Sequence, residues 1–161
     1  TPYEAIYAGY KYNMPDVVAS LGLPQLKRLE SNLKIRRKYW KMLDEGLGGI
    51  AGISLPPNEQ LNTVHARHIY AILLETEKLK ITRNKFIDAL KHECIGAGIH
   101  FDPVPLHKFY RENYGFKKGQ FPYAEFIGER TVSIPFYPHM TEKDVADVVT
   151  AVIKIVEWYR L

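Results

Sequence analysis

Lys11 and Asn13 stand two residues apart in the stretch Gly9-Tyr10-Lys11-Tyr12-Asn13-Met14-Pro15-Asp16. On an extended backbone such residues point to the same side. An ammonium and a carboxamide can then reach for one ligand, and an anion such as phosphate is the natural candidate. An ordinary loop with a solvated lysine and a turn-forming asparagine explains the same residues. The histidines are His65, His68, His92, His100, His107 and His139. None is paired at metalloprotease spacing, and one cysteine does not make a structural zinc site, so no metal is expected. His100 ends an expected strand, and His107 and Tyr110 lie in the loop that follows. Side chains so placed can line a pocket, where an imidazole is a useful acid or donor near neutral pH. Structural or solvated histidines are the alternative. There is no Gly-x-Ser-x-Gly elbow, phosphate loop or dinucleotide fingerprint; Gly96-Ala97-Gly98 lacks the third glycine.

Those side chains need elements to hold them. From Pro15, the apolar residues Val18, Leu21, Leu26, Leu29, Leu33, Trp40 and Leu43 recur at threes, fours and their multiples, which predicts a long N-terminal helix. Pro15 has no N–H to lose at the first helical position, and Asp16 sets a carboxylate at the helix's positive end. Pro24 is expected to kink or divide the helix because it removes a backbone donor. Gly46, Gly48 and Gly49 are expected to end it. His65 to Glu75 reads as a strand, apolar enough to be buried on both faces over part of its length. Thr82 caps a helix, with Ile81 and Phe86 at the hydrophobic-staple positions. Ile95 to Phe101 reads as a second strand, and Asp102 to Gly119 as a long irregular segment of the kind that often carries function. Phe121 to Arg130 reads as a short helix with Pro122 in its first turn, and Thr131 to Pro135 as a third strand. Thr141, with Asp144 three residues on, caps the last helix. Helices packed on a small sheet make an α+β domain.

The bulk numbers narrow the class. A chain of 161 residues, 46% hydrophobic and 25% charged, suits one globular domain with a real core. It has no long uncharged apolar run, so no transmembrane helix and no membrane partner are expected. Its start, Thr1-Pro2-Tyr3-Glu4, is polar and mixed, unlike a signal peptide. A single cysteine, Cys94, excludes an internal disulfide and fits a reducing, cytoplasmic compartment. Cys94 itself reads as a small buried apolar residue. A net charge of +4 and a pI of about 9.0 point weakly to anionic partners. The basic run from Lys34 to Lys41, interleaved with Tyr39 and Trp40, has the composition of a nucleic-acid surface. Its aromatics fall on the apolar stripe and its charges on the other faces, however, which is the pattern of a solvated helix, so no nucleic-acid partner is expected. Tyr3, Tyr7, Tyr10 and Tyr12 argue against a free tail and for packing on another surface, in this chain or a partner. The opening residues read as mid-protein sequence, and the chain is expected to be a fragment.

Five stretches, in order along nearly the whole chain, carry a resemblance. They are Gly9 to Asp16; Leu21-Gly-Leu-Pro-Gln-Leu-Lys-Arg-Leu29; Ile95-Gly-Ala-Gly-Ile-His-Phe101; Pro105-Leu-His107 with Tyr110; and Ser133-Ile-Pro-Phe-Tyr-Pro138 with Thr141-Glu-x-Asp144. Together they resemble the C-terminal part of the DegT/DnrJ/EryC1/StrS family of sugar aminotransferases, which depend on pyridoxal 5'-phosphate (PLP). The Gly-Tyr-Lys-Tyr-Asn form is similar to the 4-amino-4-deoxyarabinose aminotransferase branch. Pro24 departs from the family pattern, replacing a helix-compatible residue.

The resemblance implies the small C-terminal domain, residues 15–161, of a fold-type I PLP-dependent transferase. It implies an arm, residues 1–14, that reaches the cofactor site of a partner subunit in a homodimer, with Lys11 and Asn13 on the cofactor phosphate. It implies that His68, His100, His107 and Tyr110 lie about a nucleotide-sugar site. The family's Schiff-base lysine lies upstream of Gly9, so no catalytic residue is expected within these residues. The activity implied is transfer of an amino group, typically from glutamate, to a nucleotide-linked keto sugar in polysaccharide or cell-envelope sugar biosynthesis. A sugar dehydratase of the same family, in which histidine replaces that lysine, and a non-catalytic module binding nucleotide sugars or a partner are the alternatives.

Overall fold

A computed structural model describes Tyr10 and residues 12–161. The expectations for Lys11, Gly9, Tyr3 and Tyr7 lie outside the described residues. The chain divides into two compact units, Thr1–Asn32 and Leu33–Leu161.

In the first unit, Tyr12 to Pro15 is without regular structure, and Tyr10 and Tyr12 stack with ring centroids 5.6 Å apart. Helix α1 (Asp16–Lys27) follows, with Pro15 extended at its N-cap and Asp16 in its first turn. The long predicted helix is divided, but one turn beyond Pro24, which itself stays helical. The break is at Arg28. Its N–H bonds the Gln25 carbonyl at 3.1 Å, while its Nε takes the Pro24 carbonyl at 3.2 Å. A side chain thus satisfies the acceptor that the next helical N–H would have used. The apolar stripe predicted along this stretch is not buried here: Val18, Leu21, Leu26 and Leu29 are all at least half exposed.

Helix α2 (Leu29–Leu47) buries Tyr39, Trp40, Leu43 and Leu47 at the expected helical spacing. Gly46 lies inside α2 rather than ending it. A β-carbon there would come within 2.8 Å of Val149 Cγ1, so glycine lets the last helix approach closely. Gly49, at φ +76°, turns the chain away.

The sheet has three antiparallel strands in the order β1 (Ile53–Ser54), β2 (Tyr70–Leu74), β3 (Thr131–Ile134). Tyr70 pairs with Ile134 and Ile72 with Val132 across β2 and β3. The short β1 had no sequence signal of its own. β2 is shorter than its predicted span. His65 Nδ1 accepts the Arg67 N–H at 2.9 Å and Arg67 sits at φ +50°, so the chain is turning, not extended, until Tyr70. Residues 95–101 do not form a strand. They make one bridge, Gly98 to Ser133, with both N–H···O bonds at 2.9 and 2.8 Å. In the register of that bridge Gly96 would stand opposite Pro135, which has no N–H to extend the ladder.

Helix α3 (Arg83–His92) is capped by Thr82, and its staple residues Ile81 and Phe86 are both buried. The predicted irregular segment holds a 3₁₀ turn (Val104–Leu106) and helix α4 (Lys108–Tyr114), which Gly115 closes in the left-handed region. Helix α5 (Pro122–Gly128) starts on its proline, as expected. Helix α6 (Glu142–Tyr159) carries the predicted capping box, Thr141 with Asp144. Six helices and a small sheet, among the described residues, give the expected α+β class. The core of the second unit joins Leu43 and Leu47 of α2, Tyr70, Ile72 and Leu74 of β2, Phe86 and Leu90 of α3, and Val145, Val152 and Val156 of α6. Full burial of each aliphatic side chain contributes about 1.5–3 kcal/mol.

Leu43 is completely buried, so Leu43→Ala should lower the unfolding free energy by about 2–5 kcal/mol in urea titration. The Asp144 carboxyl is held below the ordinary aspartate value of 3.8, first by the Thr141 backbone N–H and then by its hydroxyl. A lowered folded value means that its stabilising effect is present above 3.8 and is lost as pH falls through the folded value. Asp144→Asn should therefore be less stable than the parent at neutral pH, with the difference closing in acid.

Candidate functional site

A cavity of about 970 Å³ opens beside the free edge of β3. Its walls are the segment after α3, the β3 end with the turn that follows, and the first half of α6. Cys94, His100, Ser133, Tyr137, Asp144 and Asp147 are among its lining residues. The local sequence explains the opening. Among the described residues β3 has a strand neighbour on one side only, and Gly98 touches the other edge at a single bridge. Pro135 and Pro138 then end the ladder, since neither can donate to it.

His100 stands at the cavity rim. Its Nδ1 and the Ser133 Oγ are 2.9 Å apart, and the Phe101 ring meets it edge-on with centroids at 4.8 Å. Ser133 is buried, at 6% exposure. The cavity floor is apolar, with Met140, Val148 and Ala151. Such a site can hold a polar group against a fixed imidazole while apolar atoms fill the floor.

The other sequence candidates lie elsewhere. His68 is exposed just before β2, and its carbonyl accepts Arg36 Nη1 at 3.0 Å. His107 is exposed at the N-terminal end of α4. Tyr110 belongs to an aromatic cluster on α4, stacked on Tyr114 with centroids 5.9 Å apart and edge-on to Phe109 at 5.3 Å. Phe116 and Phe121 continue the cluster. Two polar anchors hold this region. The buried Glu125 accepts the Gly119 and Phe121 N–H groups at 2.8 and 3.1 Å. Arg83 Nη1 bonds Asp102 at 2.9 Å and also the Gly128 carbonyl. His100 is thus brought to the cavity, whereas His68, His107 and Tyr110 do not line it. Asn13 is exposed on the stretch before α1.

Ser133 is not recognisable from sequence as a site residue, because a serine inside an apolar strand carries no signal of its partner. Asp147 reads from sequence as one more solvated helix residue. Cys94, expected to be buried, is exposed: the left-handed turn at its position carries the thiol out of the core. Four of the five cations in the basic run on α2, all but the exposed Lys34, meet groups of the same chain. Arg36 bonds the Arg67 and His68 carbonyls and lies over the Phe136 ring. Arg37 reaches Glu59 at 4.0 Å, Lys38 pairs with Glu142, and Lys41 with Glu45 at 3.6 Å. Among the described residues no three His, Cys, Asp or Glu side chains are grouped to hold a metal. None of the described helices is long and apolar enough to cross a membrane.

This α+β arrangement is that of an aminotransferase domain. It matches a proposed sugar aminotransferase of Streptococcus pneumoniae, in its PLP form, with a TM-score of 0.87 and 29% identity over 97% of this chain and 39% of that one. Residues 1–153 match the model of the DegT/DnrJ/EryC1/StrS aminotransferase family, and the chain belongs to that family. It is 40% identical over 156 residues to the spore coat polysaccharide biosynthesis protein SpsC of Bacillus subtilis, covering 96% of this chain and 40% of that protein. It is 37% identical over 160 residues to the UDP-4-amino-4-deoxy-L-arabinose–oxoglutarate aminotransferase of Shewanella sediminis, covering 95% of this chain and 40% of that protein. The chain thus spans about 40% of the length of these relatives.

Cys94 is the chain's single cysteine and is exposed at the cavity. Ellman's reagent should therefore titrate one thiol per native chain without denaturant. A thiol that reacts only on unfolding would contradict the exposed placement.

Proposed function

We propose that this chain is the C-terminal part of a PLP-dependent aminotransferase. In the intact enzyme an amino group passes from glutamate to a nucleotide-linked keto sugar used in polysaccharide or cell-envelope sugar biosynthesis. The single observation that carries this reading is the family match over residues 1–153. The aminoarabinose and spore-coat relatives, each at 37% identity or more across nearly the whole chain, support the sugar chemistry. On this reading the enzyme is a cytoplasmic homodimer.

PLP, when bound, supplies the electron sink for the transfer. The chain's own residues bind and orient. Asn13 fits a phosphate contact: it is exposed, close to the positive end of α1, on backbone whose Pro15 is extended at φ −62°, ψ 148°. Lys11 would add a charge-assisted bond to the same phosphate. On this proposal residues 1–14 are an arm that delivers both groups to the cofactor site of a partner subunit, and residues 15–161 form the small domain. His100 would meet polar atoms of the nucleotide sugar from the cavity rim. His68, His107 and Tyr110 would contribute from outside that cavity. The Schiff-base lysine would lie upstream of Gly9, so residues 1–161 alone would not catalyse transfer.

The test is an assay of the intact enzyme with a UDP-linked 4-keto sugar and glutamate. The expected products are the amino sugar and 2-oxoglutarate, with none from residues 1–161 alone. Lys11→Ala should raise the PLP concentration needed for half-saturation by about tenfold or more, as expected for losing a bond to a charged group. Dehydration of the sugar without amino transfer, or transfer by residues 1–161 alone, would overturn the reading.

A further inference from the structure

We propose that Ser133 is the positioning residue for His100: its hydroxyl donates to Nδ1, keeps the ring proton on Nε2, and so turns an Nε2–H donor toward the cavity. This rests on the substrate reading of the cavity given above.

Three independent features place the ring. The first is the hydrogen bond itself, with Ser133 Oγ and His100 Nδ1 2.9 Å apart. The second is the backbone beneath it. Gly98 and Ser133 exchange two N–H···O bonds of 2.9 and 2.8 Å, so the serine and the loop that carries the histidine cannot drift apart. The third is the seat of the ring. A β-carbon at Gly98 would lie 3.3 Å from His100 Cε1 and 3.8 Å from Nδ1, so the imidazole rests over the bare glycine α-carbon. The Phe101 ring also packs on the imidazole, at 75° to it with centroids 4.8 Å apart.

The direction of the hydrogen bond follows from burial. Ser133 is only 6% exposed, and a buried hydroxyl donates its one proton wherever an acceptor is in reach. Among the described residues Nδ1 is the hydrogen-bond partner that Oγ meets. With Nδ1 acting as acceptor, the neutral ring holds its proton on Nε2. His100 is exposed and lines the cavity, and among the described residues Nε2 makes no hydrogen bond. A donor fixed in this way suits a hydroxyl or phosphate oxygen of a sugar nucleotide. Orienting it before binding removes part of the ordering cost that binding would otherwise carry.

The test reads the histidine ring directly. Long-range proton–nitrogen correlation spectra of the ligand-free 161-residue chain report the tautomer of each imidazole, and His100→Gln assigns the signal. The expected result is a His100 ring held as the Nε2–H tautomer in the parent. In Ser133→Ala that preference should fall by about fivefold, the bias of one ordinary net hydrogen bond. Ser133→Thr, which keeps the hydroxyl, should restore it. Slow exchange of the Gly98 and Ser133 amide protons in Ser133→Ala verifies that the bridge persists. Gly98→Ala, which leaves the hydroxyl in place, should displace the ring and shift the same resonances. A tautomer ratio unchanged in Ser133→Ala, or a parent ring protonated on Nδ1 when neutral, would overturn the positioning role. These spectra need no substrate, so their failure is distinct from failure of the substrate reading. In the intact enzyme, Ser133→Ala should raise KM for the keto sugar about fivefold with kcat little changed. An unchanged KM together with a released ring would remove the substrate-facing half of the proposal.

Discussion

The structure depends on burying the central strand. Tyr70, Ile72 and Leu74 of β2 are wholly excluded from solvent, and among the described strands β2 alone has strand partners on both sides. Tyr70 is the critical member. Its ring lies 4.6 Å from Trp40 and 6.2 Å from Phe136, centroid to centroid. Its hydroxyl must find an acceptor once water is gone, and Asp44 of α2 accepts it at 2.6 Å. Burial, reinforced by the Asp44 carboxylate, pushes the phenol well above its ordinary value of 10.0. One residue thus ties α2 to the sheet through both an apolar face and a polar tip.

The cavity is a consequence of that sheet. A strand paired on both sides leaves its outer neighbour with an open edge, and an open edge exposes unpaired backbone groups. Here β3 meets the loop after α3 at one bridge and is then cut short by proline. A full strand at residues 95–101 would have closed the edge. A single bridge leaves room for the imidazole to cross over Gly98 and reach the serine. The same geometry that left β3 incompletely paired therefore created a place for a fixed polar group.

Electrostatics at the surface works mainly toward holding the fold. Arg36, Arg37, Lys38 and Lys41 of α2, which looked available for an anionic partner, are turned to carbonyls and carboxylates of the same chain. On the proposed function, the anion-binding groups lie instead on the stretch before α1, where Lys11 and Asn13 share a short motif.

Much of the architecture was legible because it rests on local chemistry. The caps at Thr82 and Thr141, the staple of Ile81 and Phe86, the proline start of α5 and the apolar face of α6 are each set by residues within a turn or two of one another. The family motifs were legible for a similar reason, being short runs of fixed order. What the sequence alone could not determine involved partners distant along the chain. The length of β2 depended on a histidine side chain capturing a backbone N–H; the failure of residues 95–101 to become a strand, on a register that sets them against the prolines ending β3. The break at Arg28 depended on a side chain competing for a carbonyl. The partnership of His100 with Ser133 spans 33 positions and follows no periodicity. Sequence period reports which face of an element is apolar; only the tertiary fold decides which polar atoms then have no water left and must find each other.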